Sequence, residues 1–257
     1  MTPAGHHVTR VGVVVPAHNE EELLPGCLAA LRAAAAAIDA PVHLLVVLDA
    51  CSDRTADAAG DTDVLAVWER NVGAARRAGF AHLLHELGLL HEPGLLDEPD
   101  LFDEPDLFDE LSADRVWLAS TDADTLVPTG WLADQLTHAH RGADAVAGMV
   151  SVADWSEHPP STAERFQRLH HHVIGHHHVH GANLGMSARS YLAVDGFPAL
   201  PADEDVALVT ALKRAGHRVL HTADPPVITS ARRHARATAG FADFLIHLAE
   251  HDPDPVS

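Results

Sequence analysis

The chain has 257 residues, 47% of them hydrophobic, which is enough for one large α/β core without covalent staples. Its 37 acidic residues against 17 Lys and Arg give a formal net charge of −20, which excludes the basic stripe of a nucleic-acid surface. Two cysteines are too few for a disulfide framework, and there is neither a run of about 18 apolar residues nor a positively charged leader, so a cytoplasmic protein with at most peripheral membrane contact is expected.

Residues 11–15 form a short Val-rich run ended by Pro16, the pattern of a buried parallel strand. Asn19, Glu20, Glu21 and Glu22 then supply acids suited to a helix N-terminus, with Pro25 in the tolerated first turn and Ala and Leu dominating 27–38. A second strand, 42–48, ends at Asp49. The segment 50–55 is turn-like, 56–60 is helical, 64–67 is a third strand, and Asn71 opens another helix.

From 86 to 114 there are 11 acidic residues and no Lys or Arg, with a proline-containing six-residue repeat at 91–108. Recurring proline forbids a continuous helix and the charge disfavours burial, so this segment reads as an inserted surface loop or a disordered excursion; its Leu-Phe pairs could also dock on a partner. A fourth strand at 116–119 follows. It runs through Ser120 and Thr121 into Asp122, Ala123 and Asp124. Strands alternating with helices predict a parallel sheet, whose ligands bind at the carboxyl ends of the strands. The loop 16–20, Asp49 and the pair Asp122/Asp124 all stand at such ends.

The second half predicts a helix at 130–140, a strand at 143–150, a helix at 161–173, a return to the sheet at 181–187 and a short helix to 194. Asp203 is placed to cap a helix over 206–215 that Gly216 ends.

Two carboxylates one residue apart at the end of a buried strand match a hard divalent cation and the phosphate it carries. Alone such a pair is weak, because Asp61 and Asp63 repeat the spacing in a polar turn and most acidic pairs are only solvated. Several segments, however, fall in one order: 13–21, 46–55, 71–76, 122–124, 181–186, Asp195-Gly196-Phe197 and Glu204-Asp205. With them the chain resembles the family 2 glycosyltransferases of GT-A fold. The resemblance implies a mixed, mainly parallel α/β sheet flanked by helices. It also implies a single domain over 1–257, with a nucleotide-sugar half at about 8–124, carrying the acidic insertion, and an acceptor half at about 125–257.

It further implies a UDP- or GDP-type sugar donor held by Pro16, Ala17, Glu20, Asp49 and Arg76. Asn19 and Glu20 as helix caps, Asp49 as a turn residue and Arg76 as a solvated helix residue are the alternatives. The family has two consecutive acids where this chain has Leu48 and Asp49, which leaves the base open. Mg²⁺ or Mn²⁺ is expected on Asp124, with Asp122 on ribose or a metal-bound water, to neutralise charge on the departing diphosphate. Asp205 matches the family's catalytic base, with Glu204 beside it and Gly181, Ala182 and Asn183 on the acceptor side; both acids could instead only favour the helix dipole.

The basic segment 229–236 offers Arg233 and Arg236 to the diphosphate and His234 as a metal ligand, or is a plain basic helix. The histidines His170, His171, His172, His176, His177, His178 and His180 could bind Zn²⁺ or Ni²⁺, contact an acceptor or form a solvated face. The acceptor itself is unspecified. Two other functions fit parts of the pattern: a sugar nucleotidyltransferase, which calls for a Gly-rich basic loop where 16–20 stands, and a non-catalytic nucleotide-sugar-binding scaffold.

Overall fold

A computed structural model of the chain describes residues 5–90, 113–169, 176–233 and 240–250. The acidic repeat, His170, His171, His172, His234 and Arg236 lie outside the described residues.

The first half runs β1 (Arg10–Ala17), α1 (Leu24–Ala35), β2 (Val42–Asp49), α2 (Thr55–Ala58), β3 (Asp63–Val67), α3 (Val72–Glu86), β4 (Val116–Ser120) and β5 (Thr125–Leu126). The second runs α4 (Trp131–His140), β6 (Ala145–Val152), α5 (Pro160–Leu169), β7 (Leu184–Ser187), α6 (Ala188–Ala193), α7 (Glu204–Arg214), β8 (Val219–Thr229) and α8 (Phe241–Glu250). The strands form one sheet in the order β3-β2-β1-β4-β7-β6-β8-β5. β1 pairs in parallel with β2 and β4, as do β2 with β3 and β6 with β8. β7 is antiparallel to both β4 and β6, and β5 to β8.

The Val-rich first strand is buried on both faces because successive side chains alternate across the sheet. Val11, Val13 and Val15 meet Leu24, Leu28 and Leu31 of α1 in one core cluster. Val14 points to the other cluster, with Phe80, Leu83 and Leu84 of α3. Each of these leucines, once fully buried, contributes roughly 2 kcal/mol of transfer free energy. Gly79 lets α3 approach that closely, since a Cβ there would lie 2.6 Å from Val47 Cγ2 and 2.8 Å from Val14 Cγ1.

Two local expectations need correction. Helix α1 begins at Leu24 with no acid in its first turn, because Asn19, at φ 56°, turns the chain so that Glu20 and Glu21 find partners elsewhere. Asp203 does precede α7, but at φ 59° its side chain makes no cap hydrogen bond. Of the helix expected over 161–173, Pro160–Leu169 is observed and 170–173 lie outside the described residues. The sequence carries no strand signal at β8, where Pro225 and Pro226 argue against one. They are tolerated because the β6 register jumps there, from Gly148↔Thr222 to Val150↔Val227, leaving both prolines out of the ladder.

Candidate active site

The carboxyl ends of β1, β2 and β4 open into one cavity of about 1510 Å³, which also reaches the segment around Gly181, the start of α7, the end of β8 and α8. Pro16, Ala17, Glu20, Asp49, Arg76, Asp122, Asp124, Gly181, Ala182, Glu204 and Asp205 all line it. Widely separated stretches of sequence thus converge on one space.

On the β1–β2 side the two loops are stapled together. Asn19 Oδ1 accepts from the Ser52 and Asp53 amides at 2.7 and 3.3 Å, and the Glu20 amide donates to Thr55 Oγ1 at 2.7 Å. His18 Nδ1 donates to the Asp49 carbonyl at 2.6 Å. The buried Asp49 carboxylate accepts the Arg70 and Asn71 amides at 2.8 and 3.0 Å, so it first of all fixes the loop that enters α3. Each of its oxygens keeps a further lone pair.

At the centre Arg76 is 3% exposed and joins three elements. Its Nη2 donates to Asp122 Oδ1 at 2.5 Å, its Nε to Ser120 Oγ at 3.1 Å, and its Nη1 pairs with Glu204. Gly181 rests directly on the guanidinium, where a Cβ would come within 2.4 Å of Cζ. The Gly181 amide in turn donates to Asp205 Oδ2 at 2.6 Å. Arg76 is therefore a buried strut between Asp122 and the start of α7 rather than a solvated helix residue. Burial raises the carboxyl pKa of both Glu204 and Asp205, against the pull of Arg76.

Arg232, which nothing in the sequence singles out from its basic neighbours, provides a second cation in the cavity. It grips Glu20 in a bidentate pair, both contacts at 2.6 Å, and reaches Asp124 Oδ2 at 3.1 Å. Arg233 does not line the cavity; it is exposed and its amide meets Glu157 at 3.2 Å. Beyond the end of β8 it is Arg232 rather than Arg233 that faces the cavity, so the lining gives the expected diphosphate contact of Arg233 no support. Asn183 is corrected too. It is 3% exposed and absent from the cavity wall, accepting from Trp131 Nε1 at 2.8 Å and donating to the Met149 carbonyl at 2.9 Å. That indole and carbonyl would otherwise be buried unpaired.

Asp124 is the carboxylate most in need of a counter-charge. Burial pushes its carboxyl up to about 6, with Arg232 pulling down and Asp122 and Glu20 adding to the rise. Mg²⁺ and Mn²⁺ are commonly held by one or two carboxylates plus substrate phosphates, so Asp124 and Asp122 fit such an ion. Arg232 would have to share Asp124 with it. Among the described residues no group of three His, Cys, Asp or Glu is poised to hold a metal by itself, and this includes the described histidines of the 176–180 stretch. Of these, His176 Nε2 meets the Thr222 carbonyl at 2.9 Å, and His178 and His180 line the cavity. Cys27 lies buried beneath the acidic loop with its thiol on the Asp122 carbonyl at 3.3 Å, and burial raises its pKa far above the usual thiol value.

This sheet order is that of a GT-A fold, shared with solved glycosyltransferase structures. TarS of S. aureus in complex with UDP-GlcNAc superposes with a TM-score of 0.57 at 13% identity, over 93% of this chain and 65% of that one. The mannosyltransferase PcManGT from Pyrobaculum calidifontis, in complex with GDP-Man and Mn²⁺, gives 0.57 at 19% identity, over 91% of this chain and 60% of that one. Glucosyl-3-phosphoglycerate synthase from Mycobacterium tuberculosis, with Mn²⁺, UDP and glucosyl-3-phosphoglycerate, gives 0.53 at 15% identity, over 94% of this chain and 76% of that one. The chain thus spans less than two thirds of the length of the first two. No family model and no curated protein sequence matches it. Among the described residues no helix is long and apolar enough to cross a membrane.

Proposed function

We propose that the chain is an inverting, metal-assisted glycosyltransferase of family 2 type, moving a sugar from a UDP- or GDP-type donor to an acceptor hydroxyl. The observation that carries this reading is the strut itself: one buried arginine ties the donor-side carboxylate Asp122 to the helix start bearing Asp205, across a single cavity. The GT-A fold supports it, as do the nucleotide sugars named with TarS and PcManGT.

The nucleoside lies toward Pro16, Ala17 and Asp49, in the half of the sheet built from β1 to β4. Mg²⁺ or Mn²⁺ held by Asp124 and Asp122, with His234 as a further ligand, would supply Lewis-acid stabilisation of the departing diphosphate. Arg232 and Arg236 offer guanidinium donors to the same oxygens. Asp205 takes the proton of the acceptor hydroxyl as its oxygen bonds to the anomeric carbon. The bond from that carbon to the diphosphate breaks, and its electron pair leaves with the nucleoside diphosphate, inverting the centre. The Gly181 amide holds Asp205 Oδ2 at 2.6 Å and the Val206 amide holds Oδ1 at 2.7 Å, which fixes the carboxylate while each oxygen keeps a lone pair for the acceptor. The two free cysteines and the lack of a membrane-crossing helix among the described residues suit work in the cytoplasm.

A thermal-shift screen of UDP- and GDP-sugars with and without Mn²⁺ tests donor binding, because a ligand of the folded state alone raises the unfolding midpoint. A rise that requires both sugar nucleotide and Mn²⁺ is expected. No rise with any donor at millimolar concentration would end the proposal.

A further inference from the structure

Part of the cavity lining is apolar. Val150 at the end of β6, Leu169 at the end of α5, Val179 and Ala182 flanking Gly181, and Phe241 and Phe244 on α8 all line it. Phe244 is 37% exposed, and Phe241 stands edge-on to Phe166 at 5.9 Å, so the aromatic surface is held from behind by the core. Val179 and Ala182 belong to the same stretch as Gly181, whose amide fixes Asp205. The apolar lining therefore includes neighbours of the glycine that holds Asp205.

Charge narrows the choice of occupant. Among the described residues, carboxylates outnumber guanidiniums in the lining by eight to three. Arg76 and Arg232 are already paired with carboxylates, and Arg70 stands at the opposite end beside Asp49. His178 and His180 also line the cavity, and burial lowers the pKa of His178 and so favours its neutral form. A phosphorylated or carboxylated acceptor would meet net repulsion there, whereas burial of an apolar body yields about 25 cal/mol per Å². The net charge of −20 also sets the chain against an anionic bilayer.

Resting on the glycosyltransferase reading above, we propose that the acceptor is an uncharged small-molecule alcohol or phenol with a ring-sized apolar body, seated against Phe241 and Phe244 with its hydroxyl at Asp205. Its O–H proton passes to Asp205, its oxygen bonds to the anomeric carbon, and nucleoside diphosphate leaves.

The test uses the full chain and a matched pair of probes, 2-naphthol and 2-naphthol-6-sulfonate. Calorimetry without donor is expected to detect 2-naphthol and to show at least about tenfold weaker binding of the sulfonate, a difference of about 1.4 kcal/mol. Phe244→Ser is expected to weaken 2-naphthol about tenfold, while Val64→Ser, on the exposed edge strand, leaves it unchanged. With a donor that passes the thermal-shift screen, 2-naphthol is expected to raise nucleoside diphosphate release at least about tenfold and the sulfonate is not. Equal binding of both probes, no binding of either, or indifference to Phe244→Ser overturns the inference even where donor binding succeeds. Failure of every donor in the thermal-shift screen overturns the glycosyltransferase reading and leaves the calorimetry to judge the pocket.

Discussion

Asp205 and Arg232 carry the sharpest expectations at the scale of single residues. Asp205→Asn keeps the hydrogen bond from the Gly181 amide but removes the proposed base, so donor-induced thermal shifts should persist while transfer falls about 10²–10⁴-fold. Transfer within a few-fold of the unaltered rate would dismiss the assignment. Because burial raises the Asp205 pKa, its active, ionised form is lost as the pH falls through a value above the ordinary aspartate range of about 3.9. The rate against pH should accordingly show an acid limb above that range, and a flat profile down to pH 4 would contradict it. Arg232→Met strands Glu20 and Asp124, both largely buried, without their cation. A loss on the order of 2–3 kcal/mol in urea unfolding is expected, and it should shrink when Glu20→Gln is combined with it. Equal losses in the single and double variants would mean that the pair is not coupled. Of these residues Asp205 is legible in the sequence, since it opens an amphipathic helix in a recognisable order. Arg232 is not, because its partner Glu20 lies 212 positions away and nothing local distinguishes it from Arg233.

Between elements, α3, the 3₁₀ turn at 181–183 and α7 meet at Arg76, and two glycines set how closely they approach. A Cβ on Gly73 would lie 2.8 Å from Glu204 Cγ, and one on Gly181 would lie 2.4 Å from Arg76 Cζ. Gly181→Ala must therefore push the guanidinium off Asp122 or the turn off α7, costing about 1–3 kcal/mol in chemical denaturation. An unchanged midpoint would mean that the turn moves freely. The strands β1, β2 and β4 and the helices that follow them are readable because each is a contiguous apolar run or a 3.6-residue pattern with a clear stop. Their partners are harder to read. β7 lies between β4 and β6 by tertiary pairing alone, and β8 carries two prolines that only the skipped register beside Gly148 permits. Asn183 shares a stretch with the cavity-lining Gly181 and Ala182, yet its side chain turns inward to Trp131 and Met149. Sequence order gives such a residue its neighbourhood but not its direction.

At the scale of the whole molecule, one sheet brings three acidic clusters to the same opening: Asp49 from β2, Asp122 and Asp124 after β4, and Glu204 and Asp205 from α7. The parallel half aligns the first two, and the antiparallel return through β7 brings the third across from them. Much of this division was legible because carboxyl ends of parallel strands are predictable landing points for ligands. The apolar part of the lining is not, since α8 and the end of β8 join the cavity only through folding. The central claim is that this opening transfers a sugar, and the release of nucleoside diphosphate from a UDP- and GDP-sugar panel with Mn²⁺ tests it most directly. Release by the unaltered chain, abolished by Asp205→Asn, is the expected result. Release of pyrophosphate, or donor binding with no nucleoside diphosphate formed at all, would contradict it.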